Sequence, residues 1–192
     1  MGLIMDFIER LEEEEIDLLV KMPYRVGYWV SQSDTTGGNE SEEQELQALA
    51  AIVRGYSEDF CKSELVQRIM EMTVANQDKW PDWQKNLEAV PNECRQLIGK
   101  LQDELPPREM DAMRQNLYEI GLSVALAYRE MDGDGEMTDF QRLWIALRER
   151  IYAWREGRDP RSGVYLYNIS GEEYMALRQL ADVLSIPPTH MF

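Results

Sequence analysis

Apolar residues recur at three- and four-residue spacing through most of the chain, the period of amphipathic α-helices. Ile4, Phe7, Ile8 and Leu11 open the pattern. Ile16, Leu18, Leu19, Met22, Val26, Trp29 and Val30 continue it as one long helix, with a bend expected at Pro23. Gly37 and Gly38 mark a loop over 34–39, and Ser41 is the expected N-cap of a helix in which Leu46, Leu49, Ala50 and Val53 share a face. A further helix is predicted from about Ser63 through Leu65, Val66, Ile69 and Met72. Trp80-Pro81-Asp82-Trp83 begins a fresh element, and its two tryptophans, set at a loop–helix junction, are expected to be partly exposed. Pro91 sits in the first turn of the helix carrying Cys94, Leu97, Ile98 and Leu101. Pro106-Pro107 is a break, after which Met110, Met113, Leu117, Ile120, Val124 and Ala127 keep helical phase.

A second loop follows at 131–136, and Thr138 is the expected N-cap before Phe140, Leu143, Trp144, Leu147, Ile151 and Trp154. The stretch 156–168 is less regular, with Gly157, Pro160, Gly163 and the short β-prone run Val164-Tyr165-Leu166-Tyr167. Ser170 followed by Glu173 reads as a capping box for a last helix through Leu177, Leu180 and Leu184, ended by Pro187-Pro188. The expectation is an all-α helical bundle of about seven to eight helices in a single domain over 1–192. Val30-Ser31-Gln32-Ser33-Asp34 and Tyr128-Arg129-Glu130-Met131-Asp132 each end a helix in an acidic, Gly-containing loop that leads into another helix. This pairing suggests two pseudo-symmetric halves, or else two ordinary helix hairpins.

Composition narrows the function classes. At 192 residues and 44% hydrophobic content the chain is able to bury a core without staples. Two cysteines, Cys61 and Cys94, make no disulfide framework, which favours a reducing compartment. The first ten residues lack the apolar core of a signal peptide, and no apolar run approaches the roughly 18 residues of a membrane span. The expectation is a cytoplasmic protein. A formal charge of −16 repels phosphate backbones, which argues against nucleic acid and favours cations, a basic protein partner or plain solubility.

The sharpest chemistry lies in the second loop. Residues 130–141 overlay an EF-hand calcium loop, with Glu130, Asp132 and Asp134 at the first three ligand positions, Gly135 at the sharp turn and Met137 at the apolar position that follows. Glu130 stands where Asp is usual, and Gln141 is a neutral group where a bidentate Glu is wanted. The loop therefore reads either as a weak calcium site or as a helix-connecting turn that uses Asp and Gly for local geometry. Glu136 adds a further carboxylate. The first loop offers Asp34 and Glu40, with Glu42 and Glu45 just inside the next helix. Carboxylates without histidine or thiolate suit a hard cation, calcium or magnesium. Like charges brought together also repel unless a cation or a basic partner neutralises them.

Other signals point to structure. Glu12-Glu13-Glu14-Glu15 covers every face of a helical turn and reads as solvated surface. Arg142, Arg148, Arg150, Arg155, Arg158 and Arg161 form an arginine-rich stretch expected to pair mostly with nearby acids. Trp29, Trp144 and Trp154 fall on apolar faces, as core residues do. His190 is the one histidine, which leaves no histidine-based triad, ordinary zinc site or Glu-x-x-His di-iron motif. No phosphate-binding Gly loop is present, and Cys61 and Cys94 read as small buried residues and not as nucleophiles.

The segment Met22-Pro23-Tyr24-Arg25-Val26-Gly27-Tyr28-Trp29-Val30-Ser31-Gln32-Ser33-Asp34, with Gly37-Gly38 and Glu45-Leu46 after it, resembles the opening of TerB-like tellurite-resistance proteins. Asp134-Gly135-Glu136-Met137 resembles the Asp-Gly-x-apolar loop in that family's second half. The resemblance runs over about 16–155 and leaves 156–192 as a C-terminal extension. It implies an all-helical fold of two pseudo-symmetric halves and a role in tellurite or other stress response within multiprotein complexes. It also implies a metal-binding acidic cluster, with Asp34, Glu42 and Glu45 in the first half and Asp132, Asp134 and Glu136 in the second. Gln141 departs from it, standing where a helix acid belongs.

The leading reading is a non-enzymatic interaction module with an acidic, cation-binding surface. A second is a magnesium-dependent nucleotide hydrolase, because Glu42/Glu45 and Glu136/Asp139 have the i, i+3 spacing of helical pyrophosphohydrolases. Those enzymes keep their pairs on one local hairpin, whereas these lie far apart in the chain. A third is a purely structural helical adaptor.

Overall fold

The computed structural model describes residues 7–33, 39–59, 63–127 and 169–186, without the side chains of 39–45, 59 and 127. The all-α expectation is met: these residues form seven α-helices and two 3-10 turns, with no strand among them. No described helix is long and apolar enough to cross a membrane.

Helix α1 (Glu13–Ser31) is the hub of the bundle and touches each of the other six helices. It starts where the Glu12 N–H donates to Glu15 Oε2 at 3.1 Å, and three glutamates in its first turn oppose the positive end of the helix dipole. The helix runs on through Pro23, the position of the expected bend. Proline withholds the N–H that would reach Leu19 O. One residue on, Val20 O accepts a hydrogen bond from Thr73 Oγ1 of a neighbouring helix at 2.6 Å. From Leu19 onward nearly every side chain of α1 is buried, including Tyr24, Arg25 and Tyr28.

Helix α2 (Asn39–Asp59) begins two residues before the expected cap, so Ser41 lies inside it. Asn39, Glu40, Ser41, Glu42 and Glu43 all suit a first turn, so local composition does not single out one start. Helix α3 (Glu64–Ala75) is capped as predicted by Ser63, whose Oγ accepts from the Val66 N–H at 3.1 Å. A 3-10 turn (Gln77–Lys79), the short α4 (Trp80–Trp83) and a second 3-10 turn (Leu87–Ala89) lead to α5 (Val90–Leu101), which carries Pro91 in its first turn.

Trp80 and Trp83 are not partly exposed; both are buried, at 7% and 6%. The sequence places a proline between them, but α4 folds back on α1, where the Tyr24 ring stacks on Trp80 with centroids 4.6 Å apart. The Trp80 indole N–H is satisfied by Thr73 O at 3.1 Å.

Arg25 holds this region from the other side. Its Nε donates to Glu93 Oε2 at 2.8 Å, its Nη1 to Trp83 O and to Lys85 O (2.7 Å), and its Nη2 to Asn86 O at 3.0 Å. Asn86, whose backbone is left-handed at φ 53°, thus sits in a turn fastened by a buried guanidinium.

Helix α6 (Pro107–Ala127) follows the predicted Pro106-Pro107 break and packs along α1. It buries three polar residues, Asn116, Glu119 and Ser123, and Ser123 Oγ shares a hydrogen bond of 3.0 Å with Tyr56 OH of α2. Helix α7 (Gly171–Leu184) opens with the predicted capping box: the Glu173 N–H donates to Ser170 Oγ (3.1 Å) and the Ser170 N–H to Glu173 Oε2 (2.8 Å). It stops before Pro187-Pro188. Ser185 turns left-handed at φ 55° and the Ile186 N–H reaches back to Ala181 O at 2.9 Å, a Schellman closure of the last turn.

Candidate functional site

The last turn of α1 and the outer face of α7 enclose an open cleft of about 670 Å³. On the α1 side stand Trp29 and, just past the helix end, Ser33; the α7 wall is Gly171, Glu172, Met175, Ala176, Arg178, Gln179 and Asp182. The α1 wall is held by hydroxyls: Ser33 Oγ donates to Val30 O at 2.6 Å and Ser31 Oγ to Tyr28 O at 2.8 Å. On α7, Leu177, Leu180, Ala181 and Leu184 face the core, which turns 172, 175, 179 and 182 outward as one stripe. Met175 is 62% exposed, the most exposed large hydrophobic among the described residues. A Cβ added at Gly171 would meet nothing within 4 Å, which leaves that end of the cleft open to an approaching group.

Trp29 was expected in the core, but it is half-buried: one side packs on the core while the other lines the cleft. The α1 stripe runs through 19, 22, 26 and 30, and Trp29 stands at its margin. Met175 fell outside the predicted stripe of α7 altogether. Its position out of phase with Leu177, Leu180 and Leu184 is the signal that marks it as outward-facing.

The acidic candidates relate to this cleft through the chain. Ser33 lines it, and Asp34 is the next residue, itself outside the described residues. Glu42 and Glu45 lie in the first two turns of α2, their side chains not described. Glu130, Asp132, Asp134 and Glu136 lie outside the described residues, as do Gln141, the arginine-rich stretch, the run 164–167, Cys61, Trp144, Trp154 and His190. Among the described residues no three His, Cys, Asp or Glu side chains come together as a metal site.

The perturbed ionisable groups belong to packing and surface pairs. Lys100 Nζ donates to Glu15 Oε1 at 2.7 Å, and with the Glu12 N–H it holds the Glu15 carboxyl below its ordinary range. The predicted solvated run is thus exposed at Glu12, Glu13 and Glu14, while Glu15 ties α1 to α5. Burial pushes the Cys94 thiol up to about 12, and its Sγ lies 3.3 Å from Met22 Sδ. Such a thiol carries no thiolate at neutral pH, in line with the reading of Cys94 as a small buried residue. Burial likewise lifts the Tyr118 hydroxyl to about 12, with Tyr174 adding to the shift.

Compared with protein-family models, curated proteins and solved structures, the chain gives no significant match.

Proposed function

We propose that this chain is a non-enzymatic, acidic helical interaction module of the TerB-like kind. In this reading it binds a protein partner, takes calcium or magnesium on its acidic loops, and works in tellurite or other stress-response complexes. The observation that carries it is the junction of α1 and α2. Helix α1 ends at Ser31, α2 begins at Asn39, Ser33 lines the open cleft, and the chain runs on through Asp34 to the helix bearing Glu42 and Glu45. In this reading the junction is the first of two helix–acidic segment–helix units. Glu130, Asp132, Asp134 and Glu136 supply its counterpart in the second.

The test is isothermal titration of calcium and of magnesium into chelator-stripped protein, repeated on Asp132→Asn/Asp134→Asn. The expected result is saturable heat that the double substitution abolishes. No heat at millimolar ion, or heat unchanged by the substitution, sinks the cation part of the reading.

A further inference from the structure

The cleft beside α7 combines an exposed apolar floor with carboxylates at either end. Met175 and Trp29 are the large apolar residues that line it. Glu172 and Asp182 stand ten positions apart on the same helix stripe, or about 15 Å along its axis. Arg178 also lines the cleft, one helical turn before Asp182 and so next to an acid. The stripe is therefore net acidic, on a chain of formal charge −16. Gly171 leaves the N-terminal end of the cleft without a side chain.

An isolated exposed methionine needs no explanation. This one lines a concavity together with a half-buried tryptophan and two acids. Thioether and indole together make an adaptable apolar seat. From this we propose that the cleft docks one face of a basic amphipathic helix from a partner protein. The helix lies along α7, sets one large aliphatic or aromatic side chain between Trp29 and Met175, and places lysines or arginines about three turns apart near Glu172 and Asp182. This inference rests on the reading of the chain as an interaction module and names the class of partner.

The probe is a fluorescein-labelled amphipathic Leu/Lys peptide of about 18 residues, long enough to be helical when bound. Its control is the matching Leu/Glu peptide. Anisotropy is measured against the full chain at physiological salt. The expected result is saturable binding of the Leu/Lys peptide and none of the Leu/Glu peptide. Met175→Glu should weaken binding about tenfold or more, and Glu172→Gln/Asp182→Asn about threefold. Met175 is exposed, so the melting temperature of Met175→Glu should stay near that of the parent and a folding defect is excluded directly.

Binding that Met175→Glu leaves unchanged would show attraction to the acidic surface at large. That overturns the cleft assignment and leaves the interaction-module reading standing. Equal binding of the two peptides, or of neither, also overturns it. So does concentration-dependent self-association in sedimentation that Met175→Glu abolishes, because the occupant is then a second copy of this chain. The cation titration fails or succeeds independently of all these outcomes.

Discussion

Arg25 sits within the buried length of an otherwise mostly apolar helix, where a charge is costly unless its donors are used. Its fork reaches one carboxylate and three carbonyls, and the carbonyls belong to a turn some sixty residues further along the chain. Arg25→Ala should therefore cost about 3–5 kcal/mol in urea unfolding, and Arg25→Lys should recover little of it, since a point charge cannot match a planar fork. A loss near zero in both variants would mean that water replaces the guanidinium at no cost. This role was not legible beforehand, because periodicity shows that position 25 follows a tyrosine in a helix and says nothing of Trp83, Lys85 and Asn86. The burial of the α4 tryptophans has the same cause: a local proline points to a surface junction, while Tyr24, whose ring packs on them, lies far away in the chain. Where the deciding partners are near in sequence, as for Ser63 with Val66 or Ser170 with Glu173, the residue-level reading succeeded.

The element scale was the most legible, since helix phase depends on residues a few positions apart. The difference falls at an end: α2 starts before Ser41, whereas α7 runs from its capping box to Leu184 as its periodicity predicts. What periodicity does not convey is how closely helices approach. At Gly27 on α1 an added Cβ would run into Leu49 Cδ1 of α2 and come within 3.3 Å of Ile120 Cγ2 and 3.4 Å of Val124 Cγ2 on α6. At Gly99 on α5 it would meet nothing within 4 Å. Two identical substitutions should thus move stability in opposite directions. Gly27→Ala is expected to cost about 1–3 kcal/mol by overpacking a three-helix contact. Gly99→Ala should add about 0.5–1 kcal/mol, as a better helix former that disturbs no neighbour. Denaturant midpoints at constant m-value measure both, and a stabilised Gly27→Ala would show that Leu49 yields freely.

For the whole molecule, 36 acids against 20 bases leave more repulsion than the surface pairs relieve. Raising sodium chloride from about 10 mM to about 300 mM at neutral pH should therefore raise the melting temperature by a few degrees, seen by calorimetry, because screening acts on the excess acids more than on the pairs. A falling melting temperature would make the ion pairs, such as Lys100 with Glu15, the dominant surface term. Fold class and charge were legible from the sequence. The cleft was not, since its walls come from α1 and α7, which lie far apart in the chain. The position of α1 as hub also bears on how the chain is made. It is synthesised before the other six described helices, yet its main partner α6 ends nearly a hundred residues later. At ordinary rates of synthesis, that interval is roughly 5–20 s. For that time the apolar side of α1 lacks its main packing partner, so the growing chain passes through a window in which a chaperone, or some other temporary cover, has the most to protect.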